Sequence, residues 1–233
     1  TNEPPASVRA RLSRRLRPVV LRRLKSEVAR DLPEKIEQVV NCDLTPRQRE
    51  VYAKLLRESR TSLLEAGGGK KRMLALTALL RLRQTCCDLR LLGLRDLPED
   101  EVSAKVEAVG ELLDEAISGG HRVLVFSQFV GMLQILVGEL AGKRIDYCYL
   151  DGSTKDRAAV VNRFQSGAAP VFLISLKAGG VGLNLTAADT VIHVDPWWNP
   201  AVEAQATDRA HRIGQERVVT SYKLIARDTV EEK

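Results

Sequence analysis

Short apolar runs recur through the second half of this 233-residue chain, and this rhythm constrains the fold more than any other feature. Amphipathic stretches of helix length separate the runs. The runs lie at residues 123–126, 145–150, 171–174, 191–194 and 218–225. Because they are nearly continuous and rich in β-branched residues, both faces of each strand are expected to be buried. The pattern predicts an α/β fold, a parallel sheet with helices on both faces.

The first half of the chain has mainly helical periodicity. Thr45, Pro46 and Gln48 form a capping-box pattern with proline at the first helical position, so a helix is expected to begin there. The three glycines at 67–69 are expected to end this helix, and the basic residues 70–72 to make the break a solvated loop. Further elements are predicted as helices over 73–87 and 103–118 and as a strand over 36–44.

Small, polar or glycine-rich residues follow the predicted strands. In parallel sheets ligands bind at the carboxyl ends of the strands, so these segments are candidate binding residues. The segments are 127–129, 150–154, 175–184 and 195–200. In the third segment, the backbone N–H groups around Gly179, Gly180 and Gly182 suit phosphate oxygens, and Lys177 adds positive charge. The same residues also fit an ordinary glycine-rich turn between a strand and a helix.

A helix is expected to follow Pro200 and to carry four polar residues at a spacing of three and four. These are Gln205, Asp208, Arg209 and Arg212. The spacing predicts that they share one helical face near its C-terminal end. Two guanidinium groups that project together suit a polyphosphate, because each can bind phosphate oxygens in a bidentate manner. The alternative is a solvated helix end, where the helix dipole favours arginine.

Composition excludes several classes of protein. With 44% hydrophobic and 28% charged residues, the chain is expected to be globular. No stretch approaches eighteen consecutive apolar residues, and the first residues show neither an apolar core nor a small-residue cleavage site, so neither a membrane span nor secretion is expected. The four cysteines form no C-x-x-C pair, and the three histidines lack metal-ligand spacing. A reduced, intracellular protein without a metal site is therefore predicted.

The net charge of +6 is concentrated in a basic leader. Residues 1–30 hold nine arginine or lysine residues against two glutamates, a local charge of +7, whereas the charges of the remaining residues nearly cancel. A run of this kind fits either a solvated helix face or a contact with a polyanion.

The segment that contains the two arginines resembles motif VI of the Swi/Snf family of DNA-translocating ATPases, which belongs to helicase superfamily two. The matching residues are DPWWNP at 195–200 followed by QATDRAHRIGQ at 205–215. Other stretches match the family in the expected order. They are LRPVVLRRLK at 16–25 and LPEK at 32–35 (the linker into the second lobe), LRQTC at 82–86 (the helical insertion), 123–129 (motif IV), DGST at 151–154 (its successor) and GLNL at 182–185 (motif V).

The resemblance spans about residues 16–232 and implies a RecA-like sheet with an N-terminal helical insertion and linker. The family motor needs a P-loop to hold the nucleotide phosphates and an acidic box to hold Mg²⁺, and neither motif occurs in this sequence. The chain is therefore expected to be the C-terminal lobe of a two-lobe motor, an excised fragment that does not hydrolyse ATP alone. The predicted regions are an inter-lobe linker or brace at 1–35, the start of the second lobe with its helical insertion at 36–104, and the RecA-like core at 105–233.

The resemblance also implies an ATP site between the two lobes, to which the second lobe supplies arginine fingers that stabilise the transferring γ-phosphoryl group. ATP and Mg²⁺ are the implied cofactors, with the Mg²⁺ ligands expected on the first lobe. The implied site residues are Arg212 as the first choice of finger, Arg209 as the second, Gln205 and Asp208 as their organisers, and Gly182 and Asn184 beside the nucleotide.

Double-stranded DNA is the implied partner, bound mainly through its phosphates because a translocase must tolerate any sequence. The implied contacts are Ser127, Gln128, Gly152, Ser153, Arg157, Ser175, Lys177, Gly179 and Trp198. Trp198 matches a family tryptophan that touches the duplex, and the alternative for it is packing against its own helix. Other expected partners are the first lobe of the same protein and a protein bound to the DNA, with no membrane. The expected location is the cytoplasm at the bacterial nucleoid, or the nucleus in a eukaryote.

Two other functions stay open on the residues: an RNA helicase lobe, and a non-catalytic module that binds nucleic acid or protein. The sequence DRAHRIGQ at 208–215, with no glycine before its first arginine, and the large helical insertion favour the DNA translocase over the RNA helicase. Retention of the paired arginines argues against a non-catalytic role for the parent protein.

Overall fold

The computed structural model describes residues 6–16, 19, 32–94, 102–178 and 182–232 of the chain. The chain divides into two compact units, Thr1–Leu32 and Pro33–Lys233. In the first unit, helix α1 spans Ala6–Leu16 and carries basic side chains in its last turn, where the helix dipole favours them. Residues 1–5, 17–18 and 20–31 of the predicted linker lie outside the described residues.

A six-stranded sheet forms the centre of the second unit. Its strands are β1 Lys35–Cys42, β2 Val123–Ser127, β3 Tyr147–Leu150, β4 Val171–Ser175, β5 Thr190–His193 and β6 Val219–Ala226. They lie in the order β1-β6-β5-β2-β4-β3, and every described pairing is parallel. Parallel neighbours require crossover connections, and helices supply these here. The predicted parallel sheet is confirmed.

Helices make up most of the rest of the second unit. They are α2 Pro46–Glu65, α3 Gly68–Cys87, α4 Ala104–Ser118, α5 Val130–Gly142, α6 Arg157–Gln165 and α7 Pro200–Thr207, with a short 3₁₀ helix at Leu89–Leu92. No helix among the described residues has the length and hydrophobicity needed to cross a membrane.

Alternate residues of the central strands enter two different cores, because successive side chains of a strand point to opposite faces. Val123 and Val125 of β2 pack with the buried faces of α4 and α5. Leu124 and Phe126 of the same strand pack on the other face, with side chains of α6 and α7. The expectation that helices cover both faces of the sheet is therefore confirmed.

Gln48 ties the helical insertion to the rest of the unit. The predicted capping box is present: Gln48 N donates to Thr45 Oγ1 at 3.2 Å and Thr45 N donates to Gln48 Oε1 at 3.3 Å. The buried amide of Gln48 also donates to the carbonyl of Thr85 in α3 at 2.8 Å and accepts from Ala104 N of α4 at 3.1 Å. One side chain therefore fixes the starts of α2 and α4 against the end of α3.

The predicted loop over residues 67–72 is wrong from residue 68 onwards, because α3 begins at Gly68. Ala66 and Gly67 are extended, and these two residues are enough to separate α2 from α3. The basic residues 70–72 are good helix formers, and an exposed helix turn needs no apolar face to accommodate them. The triple glycine therefore marks the position of the break between α2 and α3, but the break consists of only two residues, Ala66 and Gly67.

Candidate nucleic-acid and nucleotide sites

Two predicted DNA contacts, Ser127 and Ser175, end the neighbouring strands β2 and β4, and both side chains are buried. A hydrogen bond from Leu176 N to the carbonyl of Ser127 (2.9 Å) continues the pairing just beyond the strand ends. Lys177 follows on a turn and is exposed, whereas Gly179 lies outside the described residues. At this strand end, the ammonium group of Lys177 is accessible to a phosphate and the two hydroxyl groups are not.

Asp195, which follows β5, organises the loop after β2. Its fully buried carboxylate accepts from Ser127 Oγ at 2.5 Å and from Gln128 N at 3.3 Å to each of its oxygens. Burial raises the pKa of Asp195, and the hydrogen bond from Ser127 and the charge of Lys105 oppose this rise. The hydroxyl of Ser127 is thus engaged inside the protein. The sequence signals for Asp195 were its position directly after an apolar run and its place at the start of the DPWWNP stretch, and neither predicted this role.

A tight turn after β3 carries the next group of predicted DNA contacts. Asp151 Oδ1 accepts from Ser153 N at 2.8 Å and from Ser153 Oγ at 2.7 Å, and Asp151 N donates to Thr154 Oγ1 at 3.0 Å. The hydrogen bond from the Ser153 side chain lowers the pKa of Asp151. Gly152 and Ser153 are exposed, and Arg157 is half-buried at the start of α6. The turn therefore holds its shape through Asp151 and presents its tip to solvent.

These loops leave the sheet at one edge, because parallel strands place their carboxyl ends together. The strand register aligns Leu150 with Ile174 and Ser127 with Ser175. We call the exposed residues of this edge, together with the half-buried Gln128, the strand-end surface. It consists of Gln128, Gly152, Ser153, Lys177 and Trp198.

The two tryptophans after β5 have different environments. Trp197 is half-buried against the core that contains α7, and its backbone N donates to Glu203 Oε1 at 2.7 Å. Trp198 is 63% exposed, a large fraction for an indole side chain. The alternative of packing against its own helix therefore describes Trp197, and Trp198 is the aromatic residue available to a ligand.

The predicted helix that carries the arginines ends earlier than expected. Helix α7 stops at Thr207, and Asp208 is its C-cap, so Arg209 and Arg212 lie in the turns that follow. The expectation that Gln205 and these three residues share one helical face is therefore wrong. The tertiary contacts of the turns decide their path: Ala210 is fully buried in the core, which a continued amphipathic helix would not require.

Hydrogen bonds fasten the turns after α7 to the segment before β5. Leu185 N donates to the carbonyl of Arg209 at 2.9 Å. Gln215 Nε2 donates to the carbonyls of Ala188 (2.7 Å) and Ala210 (3.1 Å). The stretches that resemble motifs V and VI are therefore neighbours. Gln215 is therefore a further organising residue. It lies in the stretch that resembles motif VI, but the sequence predicted no role for it.

The two arginines differ in exposure. Arg209 is 7% exposed, whereas Arg212 is exposed. Burial lowers the pKa of Arg209, and the charge of Arg212 lowers it further, which means that the two guanidinium groups repel each other. A bound anion would relieve this repulsion. Gly182, with φ of +38°, and Asn184 are both exposed on the segment that Leu185 joins to Arg209.

The arginine segment leads away from the carboxyl edge of the sheet, where the strand-end surface lies. His193 Nε2 lies 2.9 Å from Thr207 Oγ1 at the carboxyl end of β5. From there, residues 208–215 run along the sheet to Gln215, which contacts the carbonyl of Ala188 just before β5 begins. Among the described residues, no group of three or more His, Cys, Asp or Glu side chains is placed to hold a metal ion.

Comparison with known proteins agrees with this arrangement. The model of the helicase conserved C-terminal domain matches residues 104–214, and the model of the SNF2-related domain matches residues 3–91. An uncharacterized ATP-dependent helicase of Mycoplasma pneumoniae is 40% identical over 230 residues, which cover 95% of this chain and 21% of that protein. This chain thus spans about a fifth of the length of that relative.

Solved structures extend the likeness to the fold. The C-terminal domain of the Sulfolobus solfataricus SWI2/SNF2 ATPase superposes with a TM-score of 0.72 at 32% identity, over 85% of this chain and 82% of that one. The SWI2/SNF2 ATPase core of the same organism, in complex with double-stranded DNA, gives a TM-score of 0.75 at 34% identity, over 97% of this chain and 48% of that one.

A parallel sheet covered on both faces, with polar loops at its carboxyl edge and paired arginines beside it, defines a RecA-like domain of the helicase C-terminal class. More narrowly, the chain belongs to the SNF2 family, and it corresponds to the C-terminal domain of the family's ATPase. The resemblance inferred from motif VI is confirmed.

Proposed function

We propose that this chain is the second motor lobe of an ATP-dependent translocase on double-stranded DNA. The observation that carries the proposal is the hydrogen bond from Leu185 N to the carbonyl of Arg209, which places a buried arginine beside the Gly182–Leu185 stretch, with the exposed Arg212 three residues further along the chain. This group of residues is distinct from the strand-end surface. A motor of this class needs two such places, one for the nucleotide and one for the track. The SNF2-family membership of the chain supports the same assignment.

Arg212 is our first choice of arginine finger, because its exposed guanidinium group is free to reach across a cleft. Arg209 is the second, held against the lobe near Leu185, with Gln205 and Asp208 as organisers. Gly182 and Asn184 would approach the nucleotide from the neighbouring segment. The fingers would stabilise the negative charge that spreads over the γ-phosphoryl oxygens during transfer. The phosphate cradle and the Mg²⁺ ligands are assigned to the first lobe.

DNA is assigned to the strand-end surface. Lys177 supplies charge, the turn at 151–154 supplies small polar groups, and Trp198 supplies an aromatic face for stacking or wedging. The proposed contacts with phosphates do not depend on base sequence, as translocation requires. Ser127 and Ser175 would support these loops from below, and Arg157 would flank them. Opening and closing of the inter-lobe cleft would move the two lobes along one strand.

A reconstitution tests this proposal. The chain is assayed for ATP hydrolysis alone and after mixing with a first lobe that carries the P-loop, in each case with and without duplex DNA. We expect no hydrolysis by the chain alone and DNA-stimulated hydrolysis by the mixture. Hydrolysis by the chain alone would mean that it holds a phosphate site of its own, and the proposal would fail.

The choice of nucleic acid distinguishes the alternatives. An RNA helicase lobe would be stimulated more strongly by RNA than by duplex DNA, and a non-catalytic module would bind nucleic acid without restoring hydrolysis to the mixture. We expect duplex DNA to be the stronger activator, since the solved SNF2-family core with the higher TM-score is a complex with double-stranded DNA. A protein bound to the DNA remains the proposed object of remodelling, at the bacterial nucleoid or in the nucleus.

A further inference from the structure

Arg83 of helix α3 is a buried arginine that the proposed chemistry does not use. Its side chain is 5% exposed, and unpaired arginines are almost never buried to this degree. It belongs to the helical insertion, yet its guanidinium group reaches out of the insertion into the loops after β2 and β5. Every hydrogen-bond acceptor that it uses lies in one of these two loops.

The contacts of Arg83 converge on two members of the strand-end surface. Nη1 donates to Gln128 Oε1 at 3.0 Å, and Nη2 donates to the carbonyl of Pro196. The centre of the guanidinium group lies 5.0 Å from the centroid of the Trp198 ring, within range of a cation–π interaction. Its charge is balanced by Asp195, whose Oδ2 lies 3.8 Å from Nη2.

The arrangement leaves the Trp198 ring exposed and one hydrogen-bond donor of Gln128 unsatisfied. Arg83 lies against one face of the Trp198 ring, and the indole is nevertheless 63% exposed. Because Arg83 occupies Gln128 Oε1, the orientation of the amide is fixed, and its Nε2 donor is left buried and without a hydrogen-bond partner among the described residues. A group held in its bound orientation loses less conformational entropy on binding.

We infer that Arg83 is a positioning residue for DNA binding: through Gln128 and Trp198, the helical insertion sets the geometry of the strand-end surface. This inference rests on the proposed function. Arg83 is too buried to reach a phosphate, so it acts through the two residues it holds. A lysine cannot replace it, because a single ammonium group does not present a planar fork to two acceptors and a ring at once.

Duplex binding by the full chain tests the inference. The substitutions are Arg83→Met, which keeps the length of the side chain but removes its donors, and Arg83→Lys, which keeps the charge. Arg81→Ala is the matched control, because Arg81 lies on the same helix and is exposed. We expect both Arg83 variants to weaken duplex binding roughly tenfold, because Trp198 is no longer held in position for one stacking contact. We expect Arg81→Ala to have little effect on the affinity.

The salt dependence of binding separates positioning from direct contact. If Arg83 only positions other groups, the slope of log Kobs against log[salt] is the same in Arg83→Met and in the unmodified chain. A slope reduced by about one would mean that Arg83 contacts a phosphate itself, and the inference would be overturned. Equal affinities of Arg83→Lys and the unmodified chain would also overturn it.

Quenching of tryptophan fluorescence by acrylamide tests the same geometry without DNA. The chain has two tryptophans, so a Trp198→Phe variant supplies the emission of Trp197 for subtraction. We expect quenching of Trp198 to rise in Arg83→Met and Arg83→Lys and to stay constant in Arg81→Ala. Unchanged quenching in the Arg83 variants would show that the ring is not held by Arg83.

The DNA-binding and fluorescence-quenching experiments together distinguish failure of the inference from failure of the proposed function. If the unmodified chain does not bind duplex DNA at low salt, the proposed function loses its DNA interface, while quenching still decides whether Arg83 holds Trp198. Circular dichroism and thermal unfolding identify a variant that does not fold. Should Arg83→Met unfold, Arg83→Lys, which keeps a buried cation beside Asp195, carries the test.

Discussion

The ammonium group of Lys105 lies 2.6 Å from the carboxylate of Glu231, and both side chains are completely buried. Lys105 also donates to the carbonyls of Val194 (2.7 Å) and Leu224 (3.2 Å), and Glu231 accepts from Ala226 N at 2.9 Å. The start of α4 is thereby joined to the ends of β5 and β6. Burial and ionic pairing act in opposite directions on the pKa of Lys105, and the charge of Glu231 prevails and raises it.

Removal of one partner of this pair is expected to destabilise the fold strongly. Lys105→Met leaves the Glu231 carboxylate buried without a counter-ion, which costs about 3–5 kcal/mol of unfolding free energy. The double variant Lys105→Met with Glu231→Met is expected to lose less than the sum of the two single variants. Urea unfolding of all four proteins measures the coupling. Equal and additive small losses would show that the pair is not coupled.

The folded state is expected to become less stable as the pH decreases below 6.5, because of His193. Burial lowers the pKa of His193 to about 4, from an ordinary value of 6.5, and the charge of Glu203 opposes the shift. The unfolded state therefore takes up a proton between these two pH values that the folded state does not. Above pH 6.5, His193 therefore does not reduce the free energy of unfolding. As the pH falls from 6.5 towards 4, the free energy of unfolding decreases by about 3 kcal/mol in total.

Urea unfolding at several pH values across this window checks the expectation. His193→Gln keeps a polar side chain opposite Thr207 but does not titrate. We expect the free energy of unfolding of this variant to depend less on pH below 6.5 than that of the unmodified chain. An unchanged dependence would assign the acid sensitivity to other groups.

Loss of the proposed arginine finger is expected to abolish turnover. In the two-lobe protein, Arg212→Ala should lower DNA-stimulated hydrolysis by about 10³–10⁵-fold, the range associated with such fingers, while sparing ATP binding. Steady-state hydrolysis and binding of a fluorescent ATP analogue measure the two quantities. Arg81→Ala serves as the control for loss of a surface arginine. Near-normal turnover by Arg212→Ala would remove the assignment.

Lys177→Ala is expected to weaken duplex binding equally for all base sequences. The lost phosphate contact should also reduce the slope of log Kobs against log[salt] by about one. Lys54→Ala, which removes an exposed lysine from α2 in the insertion, is the matched control and should leave both quantities unchanged. Fluorescence anisotropy with two duplexes of unrelated sequence measures the effect. Equal losses in the two variants would indicate a diffuse charge effect instead of a contact.

Local patterns in the sequence predicted the elements well, because the relevant interactions are local. Continuous apolar runs predicted the buried strands, and the capping box predicted the start of α2 at Pro46. The errors arose where a distant contact overrode the pattern. Helix α7 stops at Thr207, since the following turns are held by hydrogen bonds to the segment before β5.

The amino-acid sequence by itself determined the parallel sheet, the family and the two groups of candidate residues, because periodicity and motif spacing are properties of neighbouring residues. Only the tertiary structure decided which polar groups are buried together. Arg83 meets Gln128 across 45 residues and Pro196 across 113, and no short-range pattern records such pairs. The residue type alone predicts that an arginine at position 83 is exposed. Burial of its charge costs free energy unless the charge is paired, and the tertiary structure brings the necessary partners into contact.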